Sequence, residues 1–338
     1  MSTVKSSRME TLYKRLADAG FPRRFVRERA LPSWWDDSLA ETETGFAHGA
    51  LLVARHIGAD VRTLLETEES VTLEPMGRVL FKSGGNAVPE VLRATTSVCV
   101  RAARIILRGV AQASPAILPT SAAELREALR AQGHRVVTLD TLLKWCWSVG
   151  IPVLHLKHLP GKKPQALCLR VKGRPVIFLC DAHDLSAWQA FHLAHELGHI
   201  LLCHLEEDDS LWLDEKISRT DTADCEREAN AFAVELLLES PNATFGASAN
   251  MTAEQLSDAA RRFGAAHSMD AQAIVLNVFH YDPTRVGRNM NAAKALEPTP
   301  AAIARIALTA KASLNLQELS EDDVEYLSHL AGWESAEP

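Results

Sequence analysis

The sequence predicts an α+β protein, in which a small antiparallel sheet packs with a pair of helices and helical regions flank both. Three observations predict it. Residues 151–180 contain "IPVLHLKHL" and "QALCLRVKGRPVIFLC", runs rich in Val, Ile and Leu with turn signals at Pro160-Gly161 and Lys172-Gly173. The segments 186–204 and 222–239 instead repeat their apolar residues at helical spacing. On either side of this centre the pattern is again helical.

Composition sets the outer limits. The 338 residues are 47% hydrophobic, 6% aromatic and 23% charged, as in an ordinary globular protein long enough for two domains. No apolar run reaches the ~18 residues that a membrane span needs, and residues 100–111 are interrupted by Arg101, Arg104 and Arg108. "MSTVKSSRMETLYKRL" has no apolar signal core, so the expected location is cytoplasmic. Six cysteines without a CxxC pair fit reduced thiols there. The net charge of −7 is unevenly spread. Residues 1–120 carry 16 Lys/Arg against 13 Asp/Glu, leaving 20 against 30 for the remainder. A basic N-terminal portion suits nucleic acid or an acidic partner, and equally a plain solvated surface.

Three regions follow. Residues 1–115 are expected to form a helical N-terminal domain. "METLYKRLADAG" places Met9, Leu12 and Leu16 on one helical face and stops at Gly20, and "FAHGALLVARHIGADVRTLLE" holds two amphipathic pieces broken near Gly58. Its segment "LLVARHIGADVRTLLE" resembles the last helices of Xre-type helix-turn-helix DNA-binding domains. Arg101, Arg104 and Arg108 lie at i, i+3, i+7 and would make a stripe able to grip phosphates. A boundary is expected at "AQASPAILPTSAAE", around Pro115 and Pro119. A second domain is placed at 120–285 and a helical C-terminal extension at 286–338.

In the second domain "FHLAHELGHILLCH" puts His195, Glu196 and His199 inside a run that otherwise reads as buried helix. Ser186 and Gln189 suit a capping box at its start. Four helical residues set the two imidazoles about 6 Å apart on one side. This H-E-x-x-H spacing lets the histidines hold Zn²⁺ while the intervening Glu sits beside the attacking water. Two core histidines beside a surface Glu would read the same way on these residues alone. Gly198 is costly inside a helix, and is understandable there if another backbone, or a substrate, must approach closely. A catalytic zinc site takes three protein ligands, and the next helix, "DCEREANAFAVELLLE", offers Glu226 as the third. Asn230, one turn on, is placed to orient a ligating ring. Glu228 points elsewhere on that helix and is the weaker ligand. His204 and Cys203 lie too far along the first helix to join the same ion, Cys225 reads as packing, and His192 as an ordinary satisfied histidine. His280 or Tyr281 in "VFHYDP" is a candidate donor to the oxyanion.

"HELGHILL" followed by "EREANAFAVELLLES" resembles the ImmA/IrrE family of bacterial metallopeptidases, over roughly residues 122–280. The likeness rests on Phe191, Ala194, His195, Glu196, Gly198, His199, Glu226, Ala229, Asn230, Phe232, Ala233, Glu235, Leu236 and Leu237. Ser240-Pro241 stands where the family often has Met-Pro. The resemblance implies His195, His199 and Glu226 as ligands of one Zn²⁺ per chain, another divalent metal being compatible, with Glu196 as general base. It also implies strand addition of an extended substrate along an edge strand around Val176–Leu179. The expected activity is a zinc endopeptidase cleaving a helix-turn-helix repressor in a stress, mobile-element or toxin–antitoxin-like circuit, with the N-terminal domain recognising that repressor or DNA. The alternative is a non-proteolytic DNA- or protein-binding regulator with a structural metal site.

Overall fold

A computed structural model describes residues 8–66, 70–74, 79–81, 90–111, 118–205, 211–214, 224–248 and 250–333. The expected boundary around Pro115 and most of the acidic stretch 206–223 lie outside the described residues.

The N-terminal portion is helical, as its periodicity requires. Helices α1 (Arg8–Asp18), α2 (Arg23–Phe25), α3 (Glu43–Ile57), α4 (Val61–Leu65) and α5 (Glu90–Ile106) surround Met9, Leu12, Leu16, Val53, Ile57 and Val98. α3 starts on the Thr42 side chain, which accepts the Gly45 N–H, and stops at Gly58, whose φ of 69° is the left-handed conformation glycine tolerates best. Arg108 is exposed, but its guanidinium is paired with the buried carboxylate of Asp323 at 2.5 Å. Arg104 pairs with Glu74, and Arg101 is half-buried. The proposed basic stripe is therefore largely consumed by contacts within the protein.

α6 (Ala122–Ala131) and α7 (Leu139–Ser148) lead into the sheet. Among the described residues it has five strands: β1 (Val79–Phe81), β2 (Val153–His155), β3 (Ala166–Val171), β4 (Arg174–Leu179) and β5 (Leu211–Asp214). Their spatial order is β1-β5-β3-β4-β2. β3 and β4 form the expected hairpin, with Val171 opposite Arg174 and both loop residues, Lys172 and Gly173, at positive φ. That pair of left-handed residues is what a two-residue hairpin loop of matching twist needs.

The sheet is mixed rather than antiparallel. β2 runs parallel to β4 and β1 parallel to β5. The chain leaving β2 crosses to form β3 first, so the returning β4 fits between them and runs in the direction of β2. This also corrects the substrate strand: among the described residues Ile177–Leu179 is paired on both sides, by β3 and β2, so the strand is not an edge open to a peptide.

Both faces of the sheet are covered. Ala166, Cys168, Ile177 and Leu179 turn toward the helices that carry the histidines, while Leu167, Leu169, Val176 and Phe178 turn toward the N-terminal helices. A strand buried on two sides reads as a continuous apolar run, which is the pattern of "RPVIFLC".

Helices α8 (Ser186–Leu201), α9 (Asp224–Leu238), α10 (Ala253–His267), α11 (Ala271–Tyr281), α12 (Val286–Leu296), α13 (Ala302–Ser313) and α14 (Glu321–Ala331) complete the fold. α14 returns to the N-terminal helices. Tyr326 stacks on His56 with ring centroids 4.3 Å apart and donates its hydroxyl hydrogen to the His56 carbonyl. No helix is long and apolar enough to cross a membrane, among the described residues.

Candidate metal centre

α8 owes its burial to its neighbours. It lies between the sheet, α7, α9 and α11, and nearly every residue from Gln189 to Leu201 is removed from solvent. Its start differs from the expected capping box. Ser186 is the first helical residue, its hydroxyl bonds Glu297, and Gln189 donates to the carbonyls of Asp181 and His183 instead of reaching back to the cap. These groups tie the helix start to the loop after β4 and to α12.

Gly198 sets the closeness of α8 and α9. A Cβ on it would stand 3.0 Å from the Ala229 Cα and 3.3 Å from the Phe232 Cβ. The two backbones therefore meet at this point, which the sequence had signalled by a glycine within a helix. Ala229 is three residues from Glu226, so this contact brings the carboxylate over the α8 histidines.

The three side chains converge. His195 Nε2 and His199 Nε2 are 3.1 Å apart, Glu226 Oε1 is 3.3 Å from His199 Nε2, and Glu226 Oε2 is 3.6 Å from His195 Nε2. All three side chains are fully buried. Ligand atoms held ~2.0–2.2 Å from one tetrahedral zinc are spaced by roughly 3.3 Å. The observed separations match that spacing, and two imidazoles with one carboxylate are the donor set a divalent transition metal accepts. Among the described residues these are the three His, Cys, Asp or Glu side chains that can share one ion.

Residues 146–275 match the family model of the IrrE N-terminal-like domain, Peptidase_M78. The chain carries an IrrE N-terminal-like metallopeptidase domain. No curated protein and no solved structure matches the chain. The match takes in β2 to β5, α8 and α9 with all three clustered residues, and leaves the N-terminal helices and residues 276–338 outside it.

Within the IrrE N-terminal-like domain, Glu196 is buried in α8 between the two histidines. Burial pushes the Cys180 thiol up to about 12, and the charge of Glu196 adds to that shift. Asn230 is buried one turn beyond Glu226. His280 is exposed at the end of α11 and lines a cavity with His192, whereas Tyr281 is half-exposed.

Sequence reasoning missed His204. The helix ends at Leu202, and Cys203 takes a left-handed conformation (φ 59°) that turns the chain back, with the His204 N–H bonded to the His199 carbonyl. His204 Nδ1 then sits 2.9 Å from His199 Nδ1, and its Nε2 sits 3.0 Å from Glu228 Oε2. A continuous helix through His204 would have carried it past the site. Glu228, set aside as a ligand, anchors this histidine instead.

Proposed function

We propose that the protein is a zinc-dependent endopeptidase whose metal ligands are His195, His199 and Glu226 and whose general base is Glu196. The observation that carries this reading is the buried convergence of the three side chains at tetrahedral spacing, within a metallopeptidase family domain. A divalent ion held there supplies Lewis acidity, polarising a peptide carbonyl and acidifying water.

The chain's own residues do the rest. Glu196 accepts the proton of the attacking water and returns it to the leaving amine. Burial excludes bulk water, so each charge acts at short range without screening. His204 fixes the ring of His199 through its second nitrogen, and Glu228 in turn holds His204. Asn230, buried one turn beyond Glu226, is assigned to orienting a ligating ring. His280 and Tyr281 stay as candidate donors to the carbonyl oxygen, His280 having the better position because it lines the neighbouring cavity.

The proposed substrate is a protein, and within that class a helix-turn-helix repressor of a stress or mobile-element circuit. The family domain supports the first part, and the resemblance in sequence supports the second. The N-terminal helices are assigned to recognising that partner, in keeping with Trp34, Leu39 and Leu51, large apolar side chains about half exposed on their surface. DNA is the second reading for this region, and a gel shift that weakens steeply with salt would favour it. Six cysteines without a disulfide fit a cytoplasmic setting.

Incubation of zinc-loaded protein with a candidate helix-turn-helix repressor tests the activity. Cleavage that disappears in Glu196→Gln, with metal content unchanged, is the expected result. An intact repressor in every condition would favour a regulator with a structural metal.

A further inference from the structure

Between Arg29 and Arg55 the chain carries Asp36, Asp37, Glu41 and Glu43 and no lysine or arginine. The same stretch turns large apolar side chains to solvent: Trp34 is 51% exposed and Leu51 54%. They belong to one surface. The Trp34 ring lies 5.7 Å from that of His48, also exposed, and Leu51 follows His48 by about one turn of α3. Single exposed apolar side chains are ordinary, but a continuous row bordered by polar groups marks a contact surface.

The row is held in place from beneath. Trp35, with its ring 6.0 Å from that of Trp34, donates its indole N–H to Asp37 at 3.1 Å. It also lies against Gly49, where a Cβ would stand 2.5 Å from the Trp35 ring. The Ser33 N–H donates to Glu325 at 2.7 Å, which ties the chain just before Trp34 to α14. An exposed tryptophan fixed in this way loses little freedom when a partner covers it, and tryptophan is enriched among interface anchors.

Acids stand at both ends of the row. Asp36, Glu41 and Glu43 cluster around the start of α3, all exposed and without an ion pair among the described residues. Ser38 holds the Asp36 carboxyl below the usual carboxylate range, with a smaller contribution from Arg27. At the other end Arg55, one turn beyond Leu51, bonds Ser320, the N-cap of α14, and so brings Glu321 and Asp322 of that helix's first turn alongside. The charge of Arg55 is itself spent on the buried Asp323. Arg8 lies over Phe46, which is about 200° round α3 from His48.

A surface that is aromatic in the middle and negative at its ends disfavours nucleic acid and suits an Arg-rich helix. Guanidinium stacks on the exposed ring of Trp34, the methylene stems cover Leu51, and the carboxylates meet the charged heads. We propose that Trp34, His48 and Leu51, with these acids, dock the basic DNA-binding face of the helix-turn-helix repressor. The proposal rests on the repressor-peptidase reading for its partner and adds the face that is recognised. One consequence follows: the peptidase and DNA compete for the same side of the repressor, so a DNA-bound repressor escapes capture.

The test uses full-length, metal-loaded Glu196→Gln protein. Its first probe is a fluorescein-labelled helical peptide of Ala and Gln with Arg repeated along one face, compared with the same peptide carrying Glu in place of Arg. Anisotropy is expected to show binding of the Arg peptide that weakens with salt, and none of the Glu peptide. Trp34→Ala, with the unfolding temperature unchanged, should weaken binding about tenfold. Asp36→Lys, Glu41→Lys and Glu43→Lys together should weaken it by more than about tenfold. Reversal of Asp18, Glu127 and Glu254, exposed acids elsewhere, should change it little. A candidate repressor captured by the same protein should be released by duplex DNA carrying its binding site, and Trp34→Ala should lose that capture.

Equal binding of both peptides, no binding of the Arg peptide, or binding unaltered by both Trp34→Ala and the triple reversal would overturn the proposal. So would a repressor held together with its DNA, or binding of the duplex by the peptidase itself. Wild-type protein that captures a repressor through Trp34 yet never cleaves it would sink the peptidase reading and leave the docking surface standing. Repressor cleavage at full rate by both Trp34→Ala and the triple reversal would do the reverse.

Discussion

His204 Nδ1 lies 2.9 Å from His199 Nδ1, so the imidazole facing the ligand cluster is held from behind by a second imidazole. Glu228 completes the chain at 3.0 Å from His204 Nε2. Such support orients a ligand and raises its basicity. His204→Ala is expected to lower metal affinity about 10–100-fold, measured by competition with a chromophoric chelator. Glu228→Ala should cost less, since its carboxylate is 61% exposed and water can replace it. Equal affinities in wild type and His204→Ala would remove this role.

Metal itself should behave as part of the fold. The buried Glu226 carboxylate sits against the two imidazoles, and a bound ion favours the native state alone. At a free metal concentration 100 times the dissociation constant, binding adds about 2.7 kcal/mol. Thermal unfolding of wild type should therefore move upward as Zn²⁺ is titrated in and return on chelation. Glu226→Ala should show no such movement.

The contact at Gly198 gives a sharper prediction, because it joins packing to ligand geometry. An added methyl would press on the Ala229 backbone, and overpacking of this kind typically costs about 1–3 kcal/mol. Gly198→Ala is expected to lower both the unfolding temperature and the metal affinity, since α9 can move only by taking Glu226 with it. Gly246→Ala is the control: a Cβ there meets nothing within 4 Å. Calorimetry and the absorption spectrum of the cobalt-loaded protein read the two effects separately.

Asp323 ties the C-terminal helix to the N-terminal ones. Its buried carboxylate takes Arg55 at 2.6 Å and Arg108 at 2.5 Å, and bonds Ser320 as well. Burial opposes ionisation, but Ser320 and the two guanidinium groups outweigh it and lower the Asp323 pKa. A carboxyl with a depressed folded pKa contributes stability that is fully present above its unfolded value, about 3.9. That contribution is lost as pH falls through the lower folded value. Asp323→Asn should destabilise the protein by about 2 kcal/mol at neutral pH, moderated by the partial exposure of both arginines. Below about pH 4 the gap between variant and wild type should narrow, as chemical denaturation across pH would show.

Much of the site was legible in the chain. His195, Glu196 and His199 announce themselves because polar residues at one-turn spacing in an apolar helix need a common partner. Glu226 could be proposed because a catalytic metal wants a third ligand and the next helix offers one. His204 was not legible, since a helix drawn through it has no way to show that Cys203 reverses the chain. His192 reads as a satisfied histidine and is one, its partner Asp181 arriving from the loop after β4.

The sequence alone determined the helical periods, the β3–β4 hairpin and the two histidines of α8, because each follows from interactions among residues close together in the chain. Tertiary structure decided the parallel placement of β2 beside β4, the neutralisation of Arg108 by Asp323, and the closure of Glu226 onto the histidines. Those depend on which distant surfaces pack together, and packing energy depends on the complementary shape of both partners, which neither segment encodes by itself.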